Sequence, residues 1–243
     1  MKQNNSSSRK PAVIMSLIIF IVVNSFSSQG TDQRVVNAYQ LRLEGKVDSA
    51  KTLLINIIAE DSNNAMAWYE LARTKHHIGL GNPLKFMGSL EDIQNTVEKA
   101  VELDEDNVIY SFYKGIISYT RAYISLLKEQ SDAEEKVEKV ISDFESTLNK
   151  KQDYTEAMLY LVEILSIPEN LGGNSLKAEE YAQKLNLIDT VNGAKAKELL
   201  LSKEANRVEF WQKILEDQQN NSDIHEALGK AYLYEENIEE AIK

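Results

Sequence analysis

The chain has no cysteine, and three exclusions follow. There is no disulfide framework, no thiolate metal site and no cysteine nucleophile. A lipid-anchored export route that needs a cysteine after an apolar leader is excluded too. Proline is scarce, with three in 243 residues. Long apolar runs are scarce as well. AVIMSLIIFIVV (Ala12–Val23) stands alone. It is short of the about 20 residues that a membrane span needs. Positive charge is in deficit, with 27 Lys and Arg against 38 Asp and Glu, net −11. Lys2, Arg9 and Lys10 are the only charged residues before Thr31, so the rest of the chain is more acidic still. Such a surface repels nucleic acid, because phosphate contacts need clustered Lys and Arg.

What is present falls into two parts. Residues 1–30 run basic, then apolar, then small, with Ser25, Ser27, Ser28 and Gly30 suited to cleavage after Ser27 or Gly30. That layout predicts a secretory signal and an exported, periplasmic or secreted protein. An uncleaved N-terminal anchor is the alternative. From Thr31 onward apolar residues recur at three and four, as in VVNAYQLRLEG, MAWYELARTKHHIG and AEEKVEKVISDFESTL. These are helical periods. Polar breaks such as EGKVD, EDSNN, DEDN and QQNNSD separate them, and no stretch alternates as a strand does. About eleven helices joined by short turns are expected, an all-α chain. Ser89 with Asp92 and Ser131 with Glu134 have capping-box spacing, and Gly45 and Gly79 stand where left-handed helix C-caps are wanted.

The helices repeat. In HEALGKAYLYEENIEEA, His225, Leu228, Gly229, Tyr232 and Ala241 fall at offsets 0, 3, 4, 7 and 16. Trp68, Leu71 and Ala72 keep the first three offsets, and Met158, Leu161, Val162 and Leu165 keep four in apolar character. Lys114 and Gly115 before Ser118 keep them more weakly. Ala38 to Ala72 is 34 residues, and Met158 to His225 is 67. The pattern resembles the tetratricopeptide repeat, a helix–turn–helix unit of about 34 residues. The resemblance spans residues 31–243. It implies a right-handed α-solenoid of antiparallel helix pairs, about five to six repeats, and a non-enzymatic protein- or peptide-binding scaffold. Small residues (Ala38, Ala72, Gly115, Val162, Gly229) let the two helices of a pair approach. Ala50, Ala178 and Ala241 do the same from the second helix.

The pattern is irregular. The closing proline is replaced by Ser62, Glu105, Gln152 and Gln219. In the second unit GLGNPLKFMGS reads as an insertion between two helices. In the third the first helix is overlong, from about Asn107 to Lys128. The chain stops inside what should be a second helix, so an N-terminal fragment of a longer protein is expected.

PENLGGNSLKA (168–178) raises the question of a phosphate loop. Such a loop needs G-x-x-x-x-G-K-[ST] after a strand. Here no strand precedes, the glycines are adjacent and Lys177 is followed by Ala. The segment reads as a turn in the fourth repeat, with Asn174 or Ser175 capping the next helix. A P-x-x-x-G-G turn leading into K-A is similar to a group of exported bacterial repeat proteins. The D-x-V-x-G-A segment at Asp189–Ala194 extends that similarity.

No catalytic residue emerges. Acidic pairs such as Glu134–Glu135 read as solvated helix faces, and there is no G-x-S-x-G nucleophile elbow. His76 and His77 point about 100° apart on a helix and read as a solvated helix end, not a metal site. No metal or cofactor is expected. Trp68 and Trp211 read as core. The aromatic helix IYSFYKGIISYTRAYISLL is the informative segment. In the repeat family, inward positions of the first helices line the concave face. Carried over, these are Met66, Tyr69, Arg73, His76 and His77, then Ile109, Phe112, Ile116, Tyr119 and Thr120. A patch of Met66, Tyr69, Arg73, His76, His77, Phe112, Ile116 and Tyr119 would suit an extended or helical peptide. Filling of the core by the same rings is the competing reading. The alternative function is a glycan- or small-molecule-binding subunit of an uptake system.

Overall fold

The computed structural model describes residues 32–242, without the side chains of residues 83–85. The expected signal at 1–30 lies outside the described residues. Among the described residues twelve α-helices follow one another: α1 (Gln33–Leu43), α2 (Val47–Glu60), α3 (Ala65–Leu80), α4 (Pro83–Leu103), α5 (Val108–Leu127), α6 (Ala133–Lys150), α7 (Thr155–Leu165), α8 (Ser175–Ile188), α9 (Thr190–Leu199), α10 (Arg207–Asp217), α11 (Ser222–Tyr234) and α12 (Ile238–Ala241). A 3-10 turn, Glu169–Leu171, precedes α8. Among the described residues there is no strand, and no helix is long and apolar enough to cross a membrane.

Asparagine caps six of the twelve described helices, for a physical reason. Four N–H groups at a helix N-terminus lack intrahelical partners, and a short side-chain oxygen supplies one. Asn64 accepts from Ala67 N at 2.9 Å, and Asn107 from Ile109 and Tyr110 N. Asn174, Asn206, Asn221 and Asn237 do likewise. The polar breaks in the sequence hold these caps.

Packing makes the array an all-α solenoid. The cores are shared between units. One cluster takes Val35 and Ala38 from α1, Leu54 and Ile57 from α2, and Ala67 and Leu71 from α3. The next joins Ala72, Leu90, Ile93, Val97 and Ile117, from α3, α4 and α5. A third joins Phe112, Val137, Val140, Phe144, Ala157, Leu161 and Ala178, from α5 to α8. No helix pair closes its own core, so stacking supplies it. Ala38, Ala50, Ala72, Val162 and Ala178 have no exposed surface, as close helix approach requires.

Four local expectations are corrected. Gly79 is inside α3 and buried, not a left-handed cap. A Cβ there would stand 2.4 Å from the Phe86 ring, so this glycine makes room for a side chain. GLGNPLKFMGS is not a loop: α3 continues to Leu80 and α4 begins at Pro83. Proline is tolerated at the first helical position because its missing N–H is an orphan there anyway. Ser89 is therefore interior to α4, and its hydroxyl donates to Phe86 O at 2.7 Å. Nor does Ser131 cap α6. Asp132 holds that place, and its carboxylate is drawn instead to Ser125 Oγ at 2.6 Å and Lys136 Nζ at 2.7 Å.

The PENLGG turn is a turn. Gly172 has φ +92°, which L side chains rarely adopt. At Gly173 a Cβ would fall 1.7 Å from Ile167 O. Asn174 then caps α8 by accepting from Lys177 N at 3.0 Å. Downstream, Gly193 lets α9 cross α8 closely, since a Cβ there would meet Asn186 Cα at 2.4 Å. Gly193→Ala gains helix propensity but forces two backbones apart. A net loss of about 1–2 kcal/mol is expected, read as a lower urea midpoint.

Candidate functional site

The first helices of successive pairs carry the expected site residues. Met66 is half-buried against the α1–α3 core. Tyr69 is 8% exposed and packs on Tyr110, ring centroids 4.7 Å apart, with Tyr113 edge-on at 5.5 Å. Phe112 is 7% exposed, against Tyr154 at 4.8 Å and Phe144 at 5.9 Å. Both rings therefore sit in the core. Ile116 and Tyr119 are half-buried and rest on the same core as Phe112. His77 is exposed; Arg73 and His76 are half-buried.

Sequence reading carried the inward register to α3 and α5 alone. Applied to α1 and α7, it finds further members. Tyr39 and Arg42 follow Ala38 as Arg73 and His76 follow Ala72, and Glu163 follows Val162 as Ile116 follows Gly115.

At the α1 end, two arginines share one carboxylate. Arg42 Nε donates to Glu70 Oε1 at 2.5 Å, and Arg73 Nη1 stands 3.6 Å from Glu70 Oε2. The Glu70 and Arg42 side chains are 4% and 9% exposed, that of Arg73 20%. The Tyr39 ring lies 5.2 Å from the Arg42 guanidinium carbon and 5.9 Å from that of Arg73; Tyr69 lies 5.5 Å from Arg73. These distances are within reach of cation–π attraction.

His76 is not the solvated helix end that its sequence suggested. Its ring stacks on Phe86 at 5.4 Å, nearly parallel, and Nδ1 is 2.9 Å from Tyr113 Oη. Burial, then the nearby charge of His77, lowers its pKa from 6.5 to about 4. The unfolded chain thus takes up a proton below pH 6.5 that the folded imidazole refuses until about pH 4. Stability falls as pH drops through that window. A loss of about 1–2 kcal/mol between pH 7 and pH 5 is expected from this group, allowing for its partial exposure. Urea midpoints at both pH values measure it, and His76→Gln should remove that part of the acid sensitivity.

Further along, Tyr119 Oη donates to Glu163 Oε1 at 2.7 Å, with Tyr160 edge-on to Tyr119 at 5.1 Å. Burial raises the Glu163 pKa, opposed by that hydrogen bond. Below the face, α4, α5 and α6 share a polar seam. Ser118 Oγ donates to Asp143 Oδ2 at 2.5 Å, Lys114 Nζ lies 2.9 Å from Asp143 Oδ1, and Gln94 Nε2 donates to Glu98 Oε1 at 2.9 Å. No histidine joins the Ser118–Asp143 pair in these contacts, so no triad is assembled. Among the described residues no group of three His, Asp or Glu could hold a metal ion.

No known family profile matches the chain, and no curated protein matches its sequence. Solved structures do resemble it. TTC0263, a thermophilic TPR protein of Thermus thermophilus, is 20% identical over 83% of this chain and 98% of its own, with TM-score 0.54. A tetratricopeptide repeat protein from Parabacteroides merdae is 14% identical over 86% and 75%, TM-score 0.53. The human IFIT1 dimer with PPP-AAAA is 18% identical over 86% of this chain and 52% of that one, TM-score 0.50. At such identities the likeness is one of fold.

Proposed function

We propose, from the premise that this is a tetratricopeptide-repeat-type protein, that it holds a protein or peptide segment non-covalently on the face formed by α3, α5 and α7. One observation carries the reading. Met66, Arg73, Ile116, Tyr119 and Glu163 are all half-buried, so each leaves surface for a partner. Tyr69 and Phe112 back them from the core. Apolar and aromatic groups backed by a rigid core bury partner side chains at low ordering cost, while Arg73, His77 and Glu163 orient polar groups.

The test uses peptides selected from a random library against residues 31–243. Ile116→Asp, on the face, should weaken them at least tenfold. Lys99→Asp, on the exposed side of α4, should leave affinity within twofold. Equal binding by both variants overturns the reading. Thermal shift against sugars and peptides separates it from glycan binding. The nucleotide of IFIT1 is not carried over, because net charge −11 opposes phosphate contacts.

An adaptor role in the bacterial cell envelope is part of the same proposal. The basic–apolar–small start of the chain supports it. Mass spectrometry of the mature protein should find Ser28 or Thr31 as the first residue. An intact N-terminus at Met1 would point to the anchored form instead.

A further inference from the structure

We propose that a cavity between α5 and α6, on the side of α5 turned away from Ile116 and Tyr119, binds a small zwitterion: a free α-amino acid, its carboxylate on Arg121 and its ammonium group on Glu135. The proposal does not depend on the peptide reading above.

Position is the first argument. The cavity is lined by Ser118 and Arg121 of α5 and by Asp132, Glu135, Lys136 and Lys139 of α6. At 100° per residue, Arg121 stands roughly 140–160° round α5 from Ile116 and Tyr119. Ser118 is 3% exposed and forms the floor. Size is the second. The volume is about 220 Å³. A cavity of about 150 Å³ holds benzene, with its six non-hydrogen atoms. On that scale this one takes roughly nine, the size of a small amino acid rather than of a peptide segment.

Charge decides the class of ligand. Most of the charged groups here are already paired. Lys136 Nζ lies 2.7 Å from Asp132 Oδ2, and Ser125 Oγ donates to Asp132 Oδ1 at 2.6 Å. Lys139 Nζ lies 3.2 Å from Glu98 Oε1, across on α4. Two lining groups are left over. Among the described residues the side chains of Arg121 and Glu135 have no hydrogen bond and no ion pair. The other described arginines differ: Arg34, Arg42 and Arg73 each face a glutamate, and Arg207 lies against the Tyr234 ring. Arg121 is half-buried, so its charge is partly out of water with nothing to offset it. Its planar fork suits a bidentate carboxylate. Glu135 is exposed on the facing helix and accepts from a cation.

A simple anion would meet the carboxylates of Asp132 and Glu135 as well as Arg121. A simple cation would meet three positive side chains. With Glu98 counted, the walls carry three positive and three negative charges. A neutral ligand with separated charges matches that balance. All six lining residues are polar or charged, which favours serine, asparagine or glutamine over leucine as the ligand.

The chain from residue 31, whose Gln33–Lys243 portion is one compact unit, is titrated by calorimetry with each standard amino acid. A polar one should bind at least tenfold more tightly than leucine. Its carboxamide and N-acetyl forms, which lack the carboxylate and the ammonium group, should each lose at least tenfold. Arg121→Gln should weaken the free amino acid at least tenfold and the carboxamide less than twofold. Glu135→Gln should do the same for the free and N-acetyl forms. Each pair of changes removes one contact, so the losses do not add. Neither side chain has a partner to lose, so both variants should keep the wild-type urea midpoint. Ile116→Asp should leave amino-acid affinity within twofold. If acetate or inorganic phosphate binds as tightly as the best amino acid, and Arg121→Gln abolishes that binding, the cavity is an anion site and the zwitterion assignment is overturned. Binding that both variants leave unchanged, or that Ile116→Asp abolishes, puts the ligand elsewhere and overturns the proposal. So does the absence of binding by every amino acid, and the peptide reading is untouched by that result.

Discussion

Phe144→Ala should lower the unfolding free energy by about 3–5 kcal/mol, the range for deleting a buried ring. Phe144 has no exposed surface. Its ring stacks on Tyr160 at 5.0 Å and meets Phe112 at 5.9 Å, so it ties α6 to α7 and α5. It also fills the space that Gly115 leaves: a Cβ there would stand 2.6 Å from the ring. Truncation removes the ring and leaves a cavity, lined by a glycine on one side that cannot grow to fill it. Because neighbouring units share this core, the loss should pass to α7 and α8. Urea unfolding followed by circular dichroism gives the magnitude. Hydrogen exchange should show earlier opening of α5–α8 than of α1–α2. A change below about 1 kcal/mol would mean that the α5–α6 seam is not closed by this ring.

Asp143→Ala should cost about 2–3 kcal/mol, for a different reason. Asp143 is 5% exposed and stands beside Phe144 on α6. It accepts from Ser118 Oγ at 2.5 Å and faces Lys114 at 2.9 Å and Lys139 at 3.6 Å. Removing one partner of a buried ion pair costs about 3–5 kcal/mol when the other charge stays buried. Here the lysine side chains are 24% and 43% exposed and can turn to water, which lowers the figure. Ser118 and Gln94 cannot; both are almost wholly buried. Asp143→Asn keeps an acceptor for Ser118 and should lose about half as much. Denaturant midpoints for the pair of variants check this ordering. Equal losses would mean that the charge, not the hydrogen bond, holds the seam.

Much of the fold was legible because helical packing writes itself in period and residue size. The small residues at 38, 72, 115 and 162 lie where helices touch. The Asn-rich breaks hold caps, because a short side-chain oxygen serves both a turn and a helix start. Other signals were ambiguous in kind. Glycine serves a left-handed cap at Gly45, with φ +76°, and a close contact at Gly79; the two look alike in sequence. Pro83 lies in the segment that read as an insertion between two helices, yet it opens α4. For the candidate face, the register located half-buried Ile116 and Tyr119. It could not show that Tyr69 and Phe112 turn into the core, because depth depends on which helix packs behind. Nor could charge patterning pair Arg42 with Glu70, 28 residues apart. His76 shows the same limit: its stacking on Phe86 depends on α4 being a helix where a loop was expected.

Whether partners lie on the face of the first helices is the central question. The cysteine-free chain permits a direct test, since any introduced thiol is unique. His77→Cys and Thr120→Cys place thiols on α3 and α5, on the proposed face. Lys99→Cys and Glu138→Cys place them on exposed positions of α4 and α6. Alkylation rates are then measured with and without a saturating selected peptide. A partner on the proposed face should slow alkylation at least tenfold at 77 and 120 and less than twofold at 99 and 138. Slowing at 99 and 138, with 77 and 120 unchanged, would place the partner on the outer helices and contradict the proposal.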